Sequence, residues 1–427
     1  MVNVESAVPP RRPHAESAVP PRRPRVVLLL PSESYRAAEF LDAARALGVD
    51  VVIGSNGRFA IADAMAEAPL LLDFEAPEAG AEAIAAYARS TPVEAVVATD
   101  DGGVLVAALA AERLGLASNL PAAAAATRDK AALRRALDEG GIPQPRYRLA
   151  PPRADIPELA QEVGYPVVIK PVSLSASRGV IRADDASSAA LAGATARSIC
   201  EAAGVPAGQP LLVESYLPGV EVALEGMLRD GDLEVLALFD KPDPLEGPYF
   251  EETIYVTPSR LPADLQEAIT KMTARAITAI GLTEGPVHAE LRVHDGDVRM
   301  LEVAARSIGG LCSRSLQFGF GVTLEELILR GALGLPQRER GRTWAASGVM
   351  MIPIPRRGKL LEVRGQAAAR AVPGIAGLNI TVAPGRDLRP LPEGDRYLGF
   401  MFARGPSPEE VEGALRAAHG LLDIAIE

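Results

Sequence analysis

The chain has 427 residues, 48% of them hydrophobic, with a mean hydropathy of +0.12 and a formal net charge of -11 at pH 7. That length and apolar content suit two to four domains with well-formed cores and exclude wholesale disorder, while the acid excess leaves no basic surface for nucleic acid. The longest aliphatic run, Val26 to Leu30, falls far short of the ~20 residues of a membrane span and follows nothing like a signal peptide, so a cytoplasmic location without membrane contact is expected.

The chain opens on a duplicated nonapeptide, ESAVPPRRP at 5–13 and 16–24, rich in proline and arginine. It has nothing to bury, and a disordered tail over 1–24 is expected. From Arg25 continuous apolar strands (VVLLL, VDVVIGS, VEAVVAT) alternate with alanine-rich helices, which predicts a parallel sheet in a Rossmann-like unit over 25–120. It lacks a GxGxxG fingerprint, so dinucleotide binding has no support. Asp100 and Asp101, at a strand's C-terminal end, are expected to cap a helix, with ligand contact at a switch point as the alternative.

A helix follows in TRDKAALRRALDEGGIPQP, with Thr127 or Asp129 as cap and Gly140 and Gly141 as the stop. Next, YPVVIKPVSLSASRGV sets Lys170 at the end of a buried-looking strand and beside a Ser/Gly loop, Ser173 to Gly179. Backbone N–H groups of such a loop approach an anion closely, so loop and lysine together form a phosphate-binding arrangement. It is not a Walker A motif. Glu214 and Glu221 flank the turn SYLPGV, as a solvated pair or as ligands to adenine N6 and ribose hydroxyls. The segment 240–260 is polar, proline-rich and loop-like.

Glu290 and Glu302 lie on two strands joined by Asp295, Gly296 and Asp297. If those three residues are the loop, His294 pairs with Val298, and counting back sets Glu290 directly opposite Glu302. Two carboxylates with Cβ atoms roughly 4.5 to 5.5 Å apart repel and invite a divalent cation such as magnesium. A four-residue loop would instead put them on opposite faces as surface residues. Arg306, followed by Ser307, Gly309 and Gly310, is either a clamp for phosphate or carboxylate oxygens or a surface charge at a strand end. The two cysteines, Cys200 and Cys312, stand far apart without CxxC spacing, and are read as small buried hydrophobes. Beyond about residue 336 a further small α/β unit is expected.

Taken in order, these elements resemble the ATP-grasp superfamily and, within it, the carboxylate–amine ligases typified by bacterial L-amino acid ligases. The resemblance runs from about residue 25 to the end and rests on RDKAALRRAL, VVIKPVSLSASRGV, VESYLPGVE, HAEL and LEVAAR. It implies a mixed α/β and α+β ATP-grasp fold. The N-terminal unit would span 25–120, a two-lobed core 121–335 (121–210 and 211–335), and a C-terminal domain 336–427. It implies ATP on Lys130, Lys170, the loop residues Ser173, Ser175, Ser177 and Gly179, and the hinge Glu214, Leu217 and Glu221. Magnesium, with manganese as an alternative, would sit on Glu290 and Glu302. Lys170, Glu302 and Arg306 would serve an acyl-phosphate reaction between small carboxylate and amine substrates. Glu251, Glu252, Lys241, His288, Gly309, Gly310 and Arg314 are then candidates for the substrate site. Where the family usually has a metal-holding asparagine this chain has Ala304, which suggests weaker binding of one magnesium and leaves a silent ATP-binding regulator as an alternative. A biotin-carboxylase-like enzyme is a weaker one. A homodimer is left open, since no seam for self-association is visible.

Overall fold

The computed structural model describes residues 22–32, 34, 36–57, 69–318, 321–336 and 345–427. The tail expected over 1–24 thus lies, up to residue 21, outside the described residues. The N-terminal unit is a parallel four-stranded sheet, ordered Leu70–Leu71, Asp50–Ser55, Arg25–Leu29, Ala95–Ala98. Its strand Arg25–Leu29 lies between two neighbours and is apolar throughout because both of its faces are covered. Val26 and Leu28 join the cluster around Phe40, while Val27 and Leu29 join the one around Val106.

The first core lobe is an antiparallel sheet ordered Tyr147–Ala150, Leu211–Ser215, Val167–Pro171, Ile181–Ala183. The helices Ile156–Val163 and Ala186–Ala202 lie close against it because they present small side chains, Ala160, Ala189, Ala192 and Ala196, all buried. The strand Leu211–Ser215 completes this sheet, five residues past the lobe boundary expected at 210.

The second lobe is built on an antiparallel eight-stranded sheet. Its order is Asp297–Ala304, Gly285–His294, Val220–Arg229, Asp232–Lys241, Ile254–Thr257, Ala346–Ile352, Gly399–Gly405, Ile375–Ile380. Three of these strands come from the C-terminal part of the chain, which was expected to form a unit of its own. The fully buried strand Ile254–Thr257 needs a partner on both edges, and Ala346–Ile352 supplies one. Alternation then does the rest: Val349 and Met351 face one core, Met350 and Ile352 the other. Gly358–Arg364, Asp387–Leu388 and Asp423–Ile426 make a small separate sheet, and Gln317–Phe318 pairs with Val322–Thr323 in another. Among the described residues no helix is long and apolar enough to cross a membrane.

One face of the eight-stranded sheet packs on the helix Ala263–Ile280 through Val222, Leu224, Val287, Ala289, Leu291 and Val298. The period of two sends Glu221, Ala223 and Glu225, and likewise His288, Glu290 and Arg292, to the opposite face. On the last strand parity changes. Val298 and Met300 face the core, but so does Val303, because the register breaks between Met300 and Glu302 and Leu301 is left over. This bulge turns Glu302 and Ala304 onto the polar face. Glu290 therefore does lie opposite Glu302, but through a two-residue turn plus a bulge and not a three-residue loop. Asp295 and Gly296, at φ 49° and 82°, make that turn, with His294 paired to Asp297.

Candidate active site

The polar face forms one wall of a cavity of about 1280 Å³, bounded also by the N-terminal unit, the first lobe and the C-terminal segment around Tyr397. Pockets for small molecules are commonly ~300–1,000 Å³, so this one has room for more than one ligand.

Lys170 projects into the cavity from the strand Val167–Pro171, its Nζ 2.7 Å from Glu214 Oε2. The other oxygen of Glu214 accepts from Arg134, a guanidinium only 1% exposed, so one buried carboxylate stands between two cations. Burial alone would raise the Glu214 carboxyl, but the Arg134 and Lys170 charges outweigh it and hold it at about 2. Burial lowers the Lys170 pKa, with the Glu214 charge opposing. Both oxygens of Glu214, which borders the cavity, are thus each engaged by a cation.

Lys130 begins the helix Lys130–Glu139, which Asp129 caps by accepting from Ala131 N at 2.7 Å and Ala132 N at 3.0 Å. Its Nζ donates to Leu174 O at 2.8 Å and lies 3.5 Å from Glu302, linking the Ser/Gly loop to the metal-type glutamate. Of that loop Ser175 and Ser177 line the cavity, with Ala176 and Ser177 at φ 57° and 54°. Ser173 and Gly179 do not: the Ser173 hydroxyl donates to Gln209, and the Gly179 N–H is spent on Pro392 O at 2.9 Å.

On the polar face, charges interlock. His288 Nδ1 lies 3.0 Å from Glu225, a carboxylate with no exposure that also accepts from Ile308 N, and Nε2 is 3.4 Å from Glu290. Burial lowers the His288 pKa, but Glu225 and Glu290 outweigh it and push it up to about 9, so the ring is an imidazolium at neutral pH. Lys241 Nζ donates to Glu221 at 2.7 Å, to Glu290 at 3.1 Å and to Glu252. Glu221 accepts in turn from Arg292 Nε at 3.0 Å, and Arg292 Nη1 donates to Leu217 O at 3.0 Å. Lys241, a candidate for the substrate site, is therefore walled in beneath the cavity, and Glu221, which borders the cavity, meets a cation at each oxygen. Glu252 faces the cavity beside Tyr255 and Tyr397; burial and the Glu290 and Glu221 charges oppose Lys241 and leave its carboxyl at about 7.

The remaining expectations divide. Leu217, Gly309 and Gly310 line the cavity; Glu251 and Arg314 do not. Arg314 donates to Glu39 at 2.7 Å and to Asn379, outside the cavity, which removes it as a carboxylate receptor. Arg306 does line it, with Nε 2.9 Å from Asp101 Oδ1. Asp100 performs the cap, accepting from Gly102 N. Sequence reading missed Arg134, Glu225 and Arg292; period-two alternation around His288 and Glu221 was the available signal for the last two.

Three carboxylates, Glu221, Glu252 and Glu290, offer oxygens within 4.8 Å of one another, the geometry of a cation site. The Lys241 ammonium already stands among them. Glu302 is different: its side chain is 31% exposed, it faces the cavity, and Glu290 lies directly opposite. A hard cation held by these two carboxylates and phosphate oxygens suits the donor set.

Three family models match successive stretches: an ATP-grasp N-terminal domain over 41–118, an ATP-grasp domain over 163–315, and L-amino acid ligase C-terminal domain 2 over 350–427. The chain belongs to the ATP-grasp superfamily. Its structure is similar to that of an L-amino acid ligase from Bacillus licheniformis, with TM-score 0.78 and 25% identity, covering 95% of this chain and 99% of that one. The fold is shared with a biotin carboxylase from Campylobacter jejuni, TM-score 0.67 at 16% identity, covering 94% and 92% of the two chains. Among curated proteins, the alanine–anticapsin ligase of Bacillus subtilis is 27% identical over 265 residues, 58% of this chain and 56% of that protein. Carnosine synthase 1 of Gallus gallus is 33% identical over 136 residues, 31% of this chain and 14% of that protein. The match spans little more than half the length of the Bacillus curated relative. In this ATP-grasp chain Lys130, Lys170, Glu290, Glu302 and Arg306, the residues expected from the resemblance, all line one cavity, and Ala304 is 2% exposed and paired across the sheet with His288.

Proposed function

We propose that the chain is an ATP-dependent ligase joining a small carboxylate to an amine, both most simply amino acids, with release of ADP and phosphate. The observation that carries this reading is the convergence of Lys130, Lys170 and Arg306 with Glu290 and Glu302 on one cavity. The names of its relatives, an alanine–anticapsin ligase and an L-amino acid ligase, support amino-acid substrates.

The carboxylate oxygen attacks the γ-phosphorus, the bond to the ADP oxygen breaks, and an acyl phosphate forms. The amine nitrogen then attacks the acyl carbon, loses a proton, and phosphate leaves. Lys170 and Lys130 neutralise phosphate oxygens, and the loop around Ser175 and Ser177 keeps water from them. Arg306 offers N–H groups to the transferred phosphoryl group and to the oxyanion. Glu252, beside Tyr255 and Tyr397, receives the ammonium of an amino-acid substrate. Magnesium or manganese, held by Glu290 and Glu302, would supply further charge neutralisation at the phosphates.

The test is phosphate release with ATP and magnesium across pairs of the twenty amino acids and common small acids and amines. A pair-dependent signal is expected, with a product mass equal to both substrates less water. Glu302→Ala should lower turnover by ~100- to 1000-fold, because it removes one of the two carboxylates that would hold the charge-neutralising cation. Ala304 favours one other reading, a nucleotide-binding regulator without turnover; ATP binding with silence across the grid would leave that reading or a ligase for a substrate outside the grid.

A further inference from the structure

Arg306 reaches the cavity from the second lobe, but what aims it comes from the N-terminal unit. Its Nε lies 2.9 Å from Asp101 Oδ1 and its Nη2 donates to Asp101 Oδ2 at 3.1 Å, so both carboxylate oxygens face the side of the guanidinium. Its Nη1 donates to Ser307 O at 3.0 Å. A guanidinium has five N–H groups in one plane. Nη1 and Nη2 each donate one N–H in these bonds and keep the other, so two N–H groups at the end of the side chain remain for a ligand. A second link holds the same seam: Arg36, 4% exposed, donates to Thr99 O at 2.6 Å and to Ser307 Oγ at 2.9 Å. The turn bearing Asp101 and the segment bearing Arg306 are thereby tied two residues before Asp101 and one residue after Arg306. Capping does not explain Asp101, since Asp100 accepts from Gly102 N. Nor is Asp101 an isolated surface pair: Arg128 approaches it at 3.7 Å, and both Asp101 and Arg306 border the cavity.

We propose that Asp101 is a positioning residue for Arg306, holding the guanidinium so that its two remaining N–H groups face the phosphate that is transferred and released. This rests on the ligase reading for its chemistry, but its first readout does not need turnover. The side-on carboxylate fixes both the plane and the rotation of a long, flexible side chain, which fixes where the free N–H groups point. Its position on the N-terminal unit means that the arginine is aimed only while that unit and the second lobe stay docked.

The test uses the full chain with magnesium and ADP, and measures inorganic phosphate binding by calorimetry in wild type, Asp101→Asn, Arg306→Ala and the double variant. Each single variant should weaken phosphate about 10- to 100-fold, the scale on which misplacing such a group acts, and leave the ADP dissociation constant within about threefold. The double variant should be no weaker than Arg306→Ala alone, since residues acting as a unit are not additive. Asp101→Glu, which keeps the charge, should recover part of the affinity. Phosphate binding by Asp101→Asn equal to wild type, additive losses, or no phosphate binding in wild type would each overturn the proposal. A fall in Tm and ADP affinity together, unrelieved by Asp101→Glu, would show a structural residue and overturn it too. Phosphate binding that depends on both residues, in a chain that joins no substrates, would overturn the ligase reading and leave this one standing.

Discussion

Lys170 illustrates how a single residue combines strain and use. Its ammonium is held in a nearly dry site, only 7% exposed, because Glu214 balances it and Arg134 balances Glu214. That arrangement carries a net positive charge toward the cavity, which is what a phosphate needs. It also makes a pH prediction. The folded Glu214 carboxyl is held at about 2 against an ordinary 4.5, so its ionisation stabilises the fold fully above about pH 4.5. This stabilisation, on the order of 3 kcal/mol, is lost as pH falls from there towards 2. Denaturant unfolding of wild type and Glu214→Gln should therefore differ at pH 7 and converge as pH falls through that window; a constant gap would refute the assignment. Lys170 beside its loop was visible in the sequence. The partners that decide its charge state, 36 to 44 residues away, were not.

At the scale of elements the bulge at Leu301 is the decisive feature. Without it, Glu302 would share parity with Val298 and Met300 and point into the helix-packed core. Two bonds hold the irregularity in place: Met300 N donates to Pro143 O at 2.9 Å, and Leu301 O accepts from Arg134 Nη2 at 2.8 Å. Arg134 thus serves the bulge and Glu214 at once, stitching the helix Lys130–Glu139 to both lobes. Arg134→Met should remove one partner of a buried ion pair and free the bulge, costing about 3–5 kcal/mol in urea unfolding; a loss under 1 kcal/mol would show that neither bond matters. Counting residues across the hairpin reached the right pairing through the wrong loop, since one fewer residue in the turn and one extra in the strand cancel. No local pattern distinguishes the two routes, because the bulge is stabilised by residues far away in the chain.

For the whole molecule, the second lobe and the C-terminal part share one sheet. Truncation after residue 345 would strip the strands Ala346–Ile352, Ile375–Ile380 and Gly399–Gly405, and leave Ile254–Thr257 as a bare apolar edge. Such an edge pairs with whatever it meets. The truncated chain is expected in the insoluble fraction on expression, with no cooperative unfolding transition; a soluble, nucleotide-binding product would show that the C-terminal part is an independent domain.

The sequence by itself determined the succession of units, the parallel N-terminal sheet, and the residues that carry charge to the cavity: Lys130, Lys170, Glu290, Glu302 and Arg306. These follow from local periodicity and from motif order, both of which act over a few residues. Only the tertiary structure decided which charges stay available. It paired Glu214 and Glu221 with cations at the cavity wall, closed Lys241 beneath it, turned Ser173 and Gly179 away, drew Arg314 to Glu39, and set Asp101 against Arg306. The reason is physical: a buried charge takes the nearest opposite charge in space, and among these pairs that partner lies anywhere from 20 to 275 residues along the chain.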